Sequence, residues 1–139
     1  MNTVYDAPLA AGIPNFENYG PTDVIELQEE HQGQLKIGFD GRILAISTCD
    51  PFGRLKKDTF FKYMKKLSME RDSDNLIDTK KGGAGLGFFK ILYSSHSLIC
   101  NVKSNDKTEV ISLMFLKQPL KDFKIMPRSI HYFEDQETS

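Results

Sequence analysis

Residues 34–50, QLKIGFDGRILAISTCD, contain two runs of alternating apolar and polar residues on either side of an Asp-Gly pair. In the first run Leu35, Ile37 and Phe39 share one side of an extended chain, and the second run alternates in the same way. An Asp-Gly pair between two such runs is a strong signal for a tight turn, because the turn positions favour positive φ. The stretch therefore predicts an antiparallel β-hairpin around Asp40-Gly41.

Two helices and two further strands are predicted after this hairpin. Residues 58–70 have apolar side chains at helical spacing, and Asp58 or Thr59 is placed to cap the start of that helix. The last predicted strand is apolar on both sides, which is typical of a central strand covered on both faces. The remaining elements are a helix from Phe88 to Ser94 and strands at 98–102 and 109–116, joined by a hairpin loop at 104–107.

This order of elements predicts an α+β protein. The expected architecture is a two-layer α/β sandwich, with a mixed, mostly antiparallel sheet and helices on one face. The length of 139 residues fits a single domain, 1–139, whose polar C-terminal tail, 117–139, has a few apolar residues that dock on the body. Segments 6–23 and 71–81 are predicted to be loops, because proline, glycine or charged residues dominate them.

The composition excludes several classes of protein. Eighteen Lys and Arg residues against nineteen Asp and Glu residues give a net charge of −1, so charge alone provides no general surface for nucleic acid or membranes. No apolar run approaches the roughly 18 residues of a membrane-spanning helix. Residues 1–11 lack the basic and apolar regions of a secretion signal. We therefore expect a cytoplasmic protein without nucleic-acid or membrane partners.

The cysteines and histidines indicate neither a disulfide framework nor a metal site. Cys49 and Cys100 are far apart in the sequence and form no CxxC pair, so each is expected to be a small buried apolar residue. His31, His96 and His131 lack the HxxxH or HExxH spacing of metal-binding helices.

The glycine-rich stretch 82–87, GGAGLG, lies directly before the second predicted helix. Glycine lets backbone N–H groups approach a phosphate, and a following helix N-terminus adds partial positive charge. The stretch fits neither common phosphate pattern, because Phe88 stands where a P-loop requires Lys and where GxGxxG requires its last glycine. Taken alone, it is equally compatible with phosphate binding and with a flexible turn.

Three other short motifs occur around the glycine stretch. They are NTVYDAP at 2–8, DPFG at 50–53 and KTE at 107–109. Together with GGAGLG, this order resembles the histidine-kinase-like ATPases of the Bergerat fold over nearly the whole chain. It is most similar to the branch of anti-sigma-factor serine kinases. The resemblance implies a Bergerat ATP-binding fold that is incomplete at its N-terminus.

The resemblance also implies ligand-binding roles for individual residues. Asp50 matches the aspartate that accepts a hydrogen bond from the adenine amino group, a task suited to an ionised carboxylate. Thr108 matches a threonine near that aspartate, and Asn2 matches the asparagine that helps to hold Mg²⁺ against the phosphates. The matching glycines are Gly53, which lets the chain pass close to the base, and Gly83, Gly85 and Gly87, which form the lid over the phosphates.

The chain departs from the family pattern in two motifs. The aspartate motif of the family reads DxGxG, whereas Pro51 and Phe52 follow Asp50 here, and the bulky Phe52 is expected to crowd or reshape the adenine pocket. The catalytic glutamate of the family lies one helical turn before the asparagine, a position that would precede Met1, and most of the first helix is missing with it. No catalytic residue is therefore assigned, and no robust kinase or ATPase activity is expected of these residues alone.

Two functions remain open at this point. The first is a regulatory domain of a bacterial signalling protein that binds ATP or ADP with Mg²⁺ and acts on a partner such as a sigma factor, an anti-sigma antagonist or a response regulator. The second is a degenerate module of the same fold that has lost nucleotide binding and serves for interaction or dimerisation, for example as a homodimer. The glycine stretch and Thr108 favour the first, whereas DPFG and the missing helix favour the second.

Overall fold

A computed structural model describes residues 12, 24, 27–69, 86–116 and 127–135 of the chain. Within this part, five strands form one sheet, accompanied by two α-helices and a short 3₁₀ turn at Glu29–His31. The loop predicted at 71–81, all of 6–23 except Gly12, and residues 117–126 lie outside the described residues. The strands are β1 (Gln34–Phe39), β2 (Ile43–Asp50), β3 (Ser97–Lys103), β4 (Lys107–Phe115) and β5 (Ser129–Asp135), and the helices are α1 (Lys57–Met69) and α2 (Leu86–Tyr93).

The predicted hairpin of β1 and β2 is confirmed, with its turn centred one residue later than expected. The pairing register places Gly41 and Arg42 at the centre of the turn. Only Gly41 of these two has a positive φ, 91°, as the first central residue of a type II′ turn does. The carboxylate of Asp40 accepts hydrogen bonds from the backbone N–H groups of Arg42 (2.8 Å) and Ile43 (2.7 Å), and so closes the turn from outside.

The strands lie in the order β1-β2-β4-β3-β5. All neighbouring pairs are antiparallel except β3 and β5, which run parallel. The α+β class and the mixed, mostly antiparallel sheet are thereby confirmed. The polar tail predicted at 117–139 needs a correction, because residues 129–135 form the edge strand β5 rather than a tail.

Both predicted helices are present, and both begin earlier than predicted. α1 begins at Lys57, so Asp58 and Thr59 lie within its first turn and the predicted cap is wrong. α2 begins at Leu86, so Gly87 belongs to its first turn rather than to a loop before it.

The core lies on one face of the sheet, where α1 packs. On β3, every second side chain points to this face, and Leu98, Cys100 and Val102 are all at most 4% exposed. Phe60 of α1 is 1% exposed and packs on Tyr132 of β5, with 5.0 Å between the ring centroids. Because Tyr132 is the register partner of Cys100, this contact fixes α1 over the β3–β5 half of the sheet.

The residues after α2 are attached to the same face. The hydroxyl of Ser95 is hydrogen-bonded to that of Ser112 on β4 (2.6 Å), and Ser112 is the register partner of Leu98. In the described part of the chain, the helices therefore approach a single face. The central position of β4 is confirmed, but Ile111 and Leu113 on its other face remain only half-buried.

Both cysteines are free, as predicted. Cys100 is fully buried, and this burial raises the pKa of its thiol to about 12. Cys49 is only partly buried. Among the described helices, none has the length and apolar character needed to span a bilayer.

Candidate functional site

The end of β2 and the start of β4 bring two of the predicted site residues together. Asp50 is the last residue of β2 and lies directly opposite Thr108 in the antiparallel register. Residues that are directly opposite project from the same face of a sheet, which here is the face that carries the helices. Both side chains are buried, with 8% of Asp50 and 3% of Thr108 exposed.

Asp50 also organises the DPFG turn that follows β2. Its Oδ1 accepts a hydrogen bond from the backbone N–H of Phe52 (3.1 Å), an arrangement typical of Asx turns. The ring of Phe52 is buried and stacks on His31, with 6.2 Å between centroids and 14° between planes. Phe52, the residue that departs most from the family motif, therefore packs against the segment that leads into β1.

The hydroxyl of Thr108 is one of the unpaired polar groups in the described part of this region. It is buried and has no hydrogen-bond partner among the residues that the structure describes. Burying a hydroxyl without a partner costs about 1–3 kcal/mol, and nearly all buried polar groups in proteins are paired. An orphaned hydroxyl directly beside a carboxylate is therefore a candidate contact for a polar ligand.

Gly53 is required for packing. Its φ is 59°, and an added Cβ would overlap the carbonyl oxygen of Lys103. The same Cβ would lie only 2.7 Å from the backbone nitrogen of Asp106 and 2.8 Å from that of Asn105. The close approach predicted for Gly53 is thus made, within the described residues, to the β3–β4 turn.

Two clefts flank the DPFG turn. The larger, about 600 Å³, lies between the start of α1, the β3–β4 turn and the end of β5. Val102, one of its lining residues, is the register partner of Thr108, but neither Thr108 nor Asp50 lines this cleft. Arg54 and Lys56 bring two positive charges to its wall. Its volume falls within the usual range for small-molecule sites.

The smaller cleft, about 330 Å³, lies beside the opposite face of the sheet. The carboxylate of Glu109, which lines this cleft, accepts hydrogen bonds from Ser47 Oγ (2.8 Å) and Asn101 Nδ2 (3.1 Å). These two bonds hold the pKa of Glu109 below its usual value, so the group is ionised at neutral pH. The other charged or ionisable residues that line the smaller cleft are Lys36, Cys49, Asp50, Asp106 and Lys107.

The remaining predicted site residues lie mostly elsewhere in the chain. Asn2, Gly83 and Gly85 are outside the described residues, and Gly87 lies in the first turn of α2. The described residues contain no group of three or more His, Cys, Asp or Glu side chains that could hold a metal ion. Within the described residues, the candidate site therefore consists of the Asp50–Thr108 pair and the larger cleft.

The positive charges on the wall of the larger cleft were not predicted from the motifs. Arg54 and Lys56 directly follow DPFG, and this basic pair next to the motif was the available signal. The hydrogen-bonded Glu109 was also missed, because Ser47 and Asn101 come from two other strands and only the sheet register brings them together.

Comparison of the chain with protein-family models, with curated proteins and with solved structures finds no significant match.

Proposed function

We propose that this chain is a regulatory domain of a bacterial signalling protein, similar to the anti-sigma-factor serine kinases, that binds ATP or ADP with Mg²⁺. The observation that carries the proposal is the buried Asp50–Thr108 pair, in which the Thr108 hydroxyl has no partner among the described residues. The proposal includes a cytoplasmic location, a protein partner of the signalling type and the Bergerat fold.

The chemistry of the pair suits the edge of an adenine base. An ionised carboxylate only accepts hydrogen bonds, so Asp50 complements the exocyclic amino group of adenine. A hydroxyl both donates and accepts, so Thr108 complements a ring nitrogen next to that amino group. Because the Thr108 hydroxyl is buried without a partner among the described residues, a ligand that fails to pair with it leaves it unsatisfied, and this penalty gives specificity.

The larger cleft supplies the charge that a nucleotide requires. Arg54 and Lys56 line it, and the first turn of α1 adds the partial positive charge of a helix N-terminus. Glu134 also lines this cleft and opposes part of that charge.

Apart from Gly87, the metal and lid contacts of the proposal lie outside the described residues. Asn2 would offer Mg²⁺ an amide oxygen, and the ion would offset the negative charge of the phosphates. Gly83 and Gly85 would approach the phosphates together with Gly87. No residue is assigned as a general base, so the proposal is nucleotide binding and not turnover.

A degenerate interaction module is the second candidate function. Two observations favour it: the carboxylate of Asp50 already accepts a hydrogen bond from the backbone of Phe52, and Gly53 is needed against the β3–β4 turn. These contacts explain the presence of Asp50 and Gly53 in the motif by the packing of the chain, without a ligand.

Titration of the chain with an ATP analogue and Mg²⁺, followed by calorimetry, tests the two functions. Thr108→Val removes the hydroxyl and keeps the branched shape, so we expect at least about tenfold weaker binding. The same variant should leave the free energy of unfolding unchanged or raise it by about 1 kcal/mol, because an unpaired buried hydroxyl has been removed. Thr48→Val is the matched control, since Thr48 lies exposed on the same face.

Asp50→Asn sharpens the test. The amide oxygen can still accept the N–H of Phe52, so the turn is kept while the negative acceptor is lost. Gly53 variants are unsuitable, because an added Cβ would disturb the β3–β4 turn. Binding that survives both substitutions would reject nucleotide recognition at this pair. Wild-type binding weaker than millimolar would reject nucleotide binding and leave the interaction module.

A further inference from the structure

We propose that the free edge of β1 pairs with β1 of a second copy of this chain, antiparallel and centred on Ile37, so that both sheets become one. This interface is independent of the nucleotide proposal, because it lies at the opposite edge of the sheet from β5 and involves neither Thr108 nor the larger cleft.

The edge of β1 is open within the described part of the chain. β1 is the first strand in the sheet order, and every one of its residues is exposed. Leu35, Ile37 and Phe39 are 64%, 67% and 61% exposed although they project from the face that carries the core. An exposed strand edge with large apolar side chains is a template for pairing with another chain.

The hairpin turn determines which backbone groups face this edge. The N–H of Asp40 donates to the carbonyl of Ile43 (3.3 Å), so these two residues form a hydrogen-bonded pair. Hydrogen-bonded pairs alternate along an antiparallel ladder, so the next residues that bond β2 are Gly38 and Lys36. The N–H and C=O groups of Leu35, Ile37 and Phe39 therefore point away from β2, toward the open edge.

A second copy of β1 complements this edge when the two-fold axis passes at Ile37. Leu35 then lies opposite Phe39 of the second copy, and Ile37 lies opposite its own equivalent. All of these pairs use outward-pointing backbone groups and exchange both hydrogen bonds. The apolar side chains of the two copies then meet on one face of the joined sheet and form a continuous apolar surface.

The charges favour the same register. With the axis at Ile37, Lys36 lies opposite Gly38 of the second copy, and a Cβ at Gly38 would meet nothing within 4 Å. An axis at Lys36 would place two lysines directly opposite each other, which is destabilising. An axis at Gly38 would leave Leu35 without an apolar partner and would face Lys36 with Asp40, whose carboxylate already closes the turn.

The first experiment measures the dimer dissociation constant by sedimentation for the full chain and for two variants at one position. Gly38→Glu places a carboxylate opposite Lys36 of the second copy twice in the symmetric dimer, and we expect about 2- to 30-fold tighter association. Gly38→Lys places like charges there, and we expect association to weaken by a similar factor. Both substitutions fall in open space, so circular dichroism and the urea midpoint should match the wild type closely.

Cross-linking then tests the register. In a Cys49→Ser background, Ile37→Cys brings two new thiols together at the two-fold axis, where Cα atoms of a hydrogen-bonded pair are about 5.5 Å apart, within reach of a disulfide. We expect a covalent dimer on mild oxidation from Ile37→Cys and much less from the matched Lys36→Cys variant.

The opposite results overturn the proposal. A chain that stays monomeric at high micromolar concentration rejects the proposal. In that case, protection of the Ile37→Cys thiol from maleimide would show that another segment of the chain covers the β1 edge. Free labelling of the thiol would leave the β1 edge available to a different protein. Equal weakening by Gly38→Glu and Gly38→Lys, or preferential cross-linking of Lys36→Cys, would reject the Ile37-centred register.

Discussion

The two edge strands of the sheet, β1 and β5, behave in opposite ways. β1 has the regular alternation of a strand, yet all its residues are exposed. β5 has no such regularity, yet its central residue Tyr132 packs on Phe60 and Phe61 and donates a hydrogen bond to the carbonyl of Leu55 (2.9 Å). Alternation therefore reports that a segment is a strand, whereas burial depends on where the helices lie.

The position of α1 explains the difference. α1 packs over the β3–β5 half of the sheet through Phe60, and there alternate residues of β3 are buried and Tyr132 of β5 is half-buried. Every residue of β1 remains exposed, and so do its apolar side chains Leu35, Ile37 and Phe39. One edge is consequently a stability element, and the other is a surface available for pairing.

The largest expected effect comes from truncating one aromatic ring at each edge. Phe60→Ala removes a ring that is 1% exposed and should lower the free energy of unfolding by about 3–5 kcal/mol. Phe39→Ala removes a ring that is 61% exposed, and in dilute protein it should change that free energy by no more than about 0.5 kcal/mol. Urea denaturation of both variants measures the contrast, and equal losses would show that the β1 edge is as well packed as the β5 edge.

A smaller effect is expected from Tyr132→Phe. This change keeps the ring and removes the hydroxyl that donates to Leu55, so it should cost about 1 kcal/mol at neutral pH. Phe133→Leu is the matched control on the same strand, because Phe133 is 58% exposed and its loss should be close to zero. If the two variants are equally stable, the hydroxyl does not hold β5.

The same variant has a signature at alkaline pH. Burial, followed by the nearby charge of Glu134, raises the pKa of Tyr132 from 10 to about 12. The unfolded chain then loses this proton between pH 10 and 12 while the folded chain keeps it, so wild-type stability falls as pH rises through this window. Tyr132→Phe should lose this part of the decline, whereas the contribution of Cys100 is common to both proteins.

The sequence was sufficient for the parts of the fold that depend on local pattern. The β1–β2 hairpin, both helices and the β3–β4 pair follow from alternation, helical spacing and turn residues. β5 could not be found in this way, because it is a parallel edge strand held by register with β3 and by one tyrosine. The turn was misplaced by one residue since Asp40 acts through its side chain, which no propensity distinguishes from a central turn position.

The candidate site was predictable only in part. The proximity of Asp50 and Thr108 was expected from the motif order, and the register of β2 and β4 brings them together. The packing requirement for a glycine at position 53 was not predictable, because the backbone that approaches it belongs to a turn 50 residues away in sequence, at Lys103. Motif order conveyed which residues meet, but the backbone packing around them had to be observed.

The smallest expected effect concerns His96, which connects the end of β4 to the start of β5. Its Nδ1 accepts the N–H of Phe115 (3.1 Å), and its carbonyl accepts the N–H of Ser129 (3.0 Å). Burial, with a further contribution from Arg128, lowers the pKa of His96 below 6.5, so the folded state holds the neutral ring. The contact is fully present at neutral pH, and only acidification tests it.

Below pH 6.5, His96 binds a proton in the unfolded chain but not in the folded chain. The free energy of unfolding should therefore fall as the pH drops toward the lowered pKa of His96. His96→Gln keeps an acceptor for Phe115 without titrating, so the difference in urea midpoint between this variant and the wild type should shift in favour of the variant between pH 7 and pH 5. The exposed His131 of β5 gives the matched control, because His131→Gln should leave the acid dependence of the wild type in place. A parallel acid dependence in wild type and His96→Gln would mean that His96 holds the β5 edge by its backbone alone.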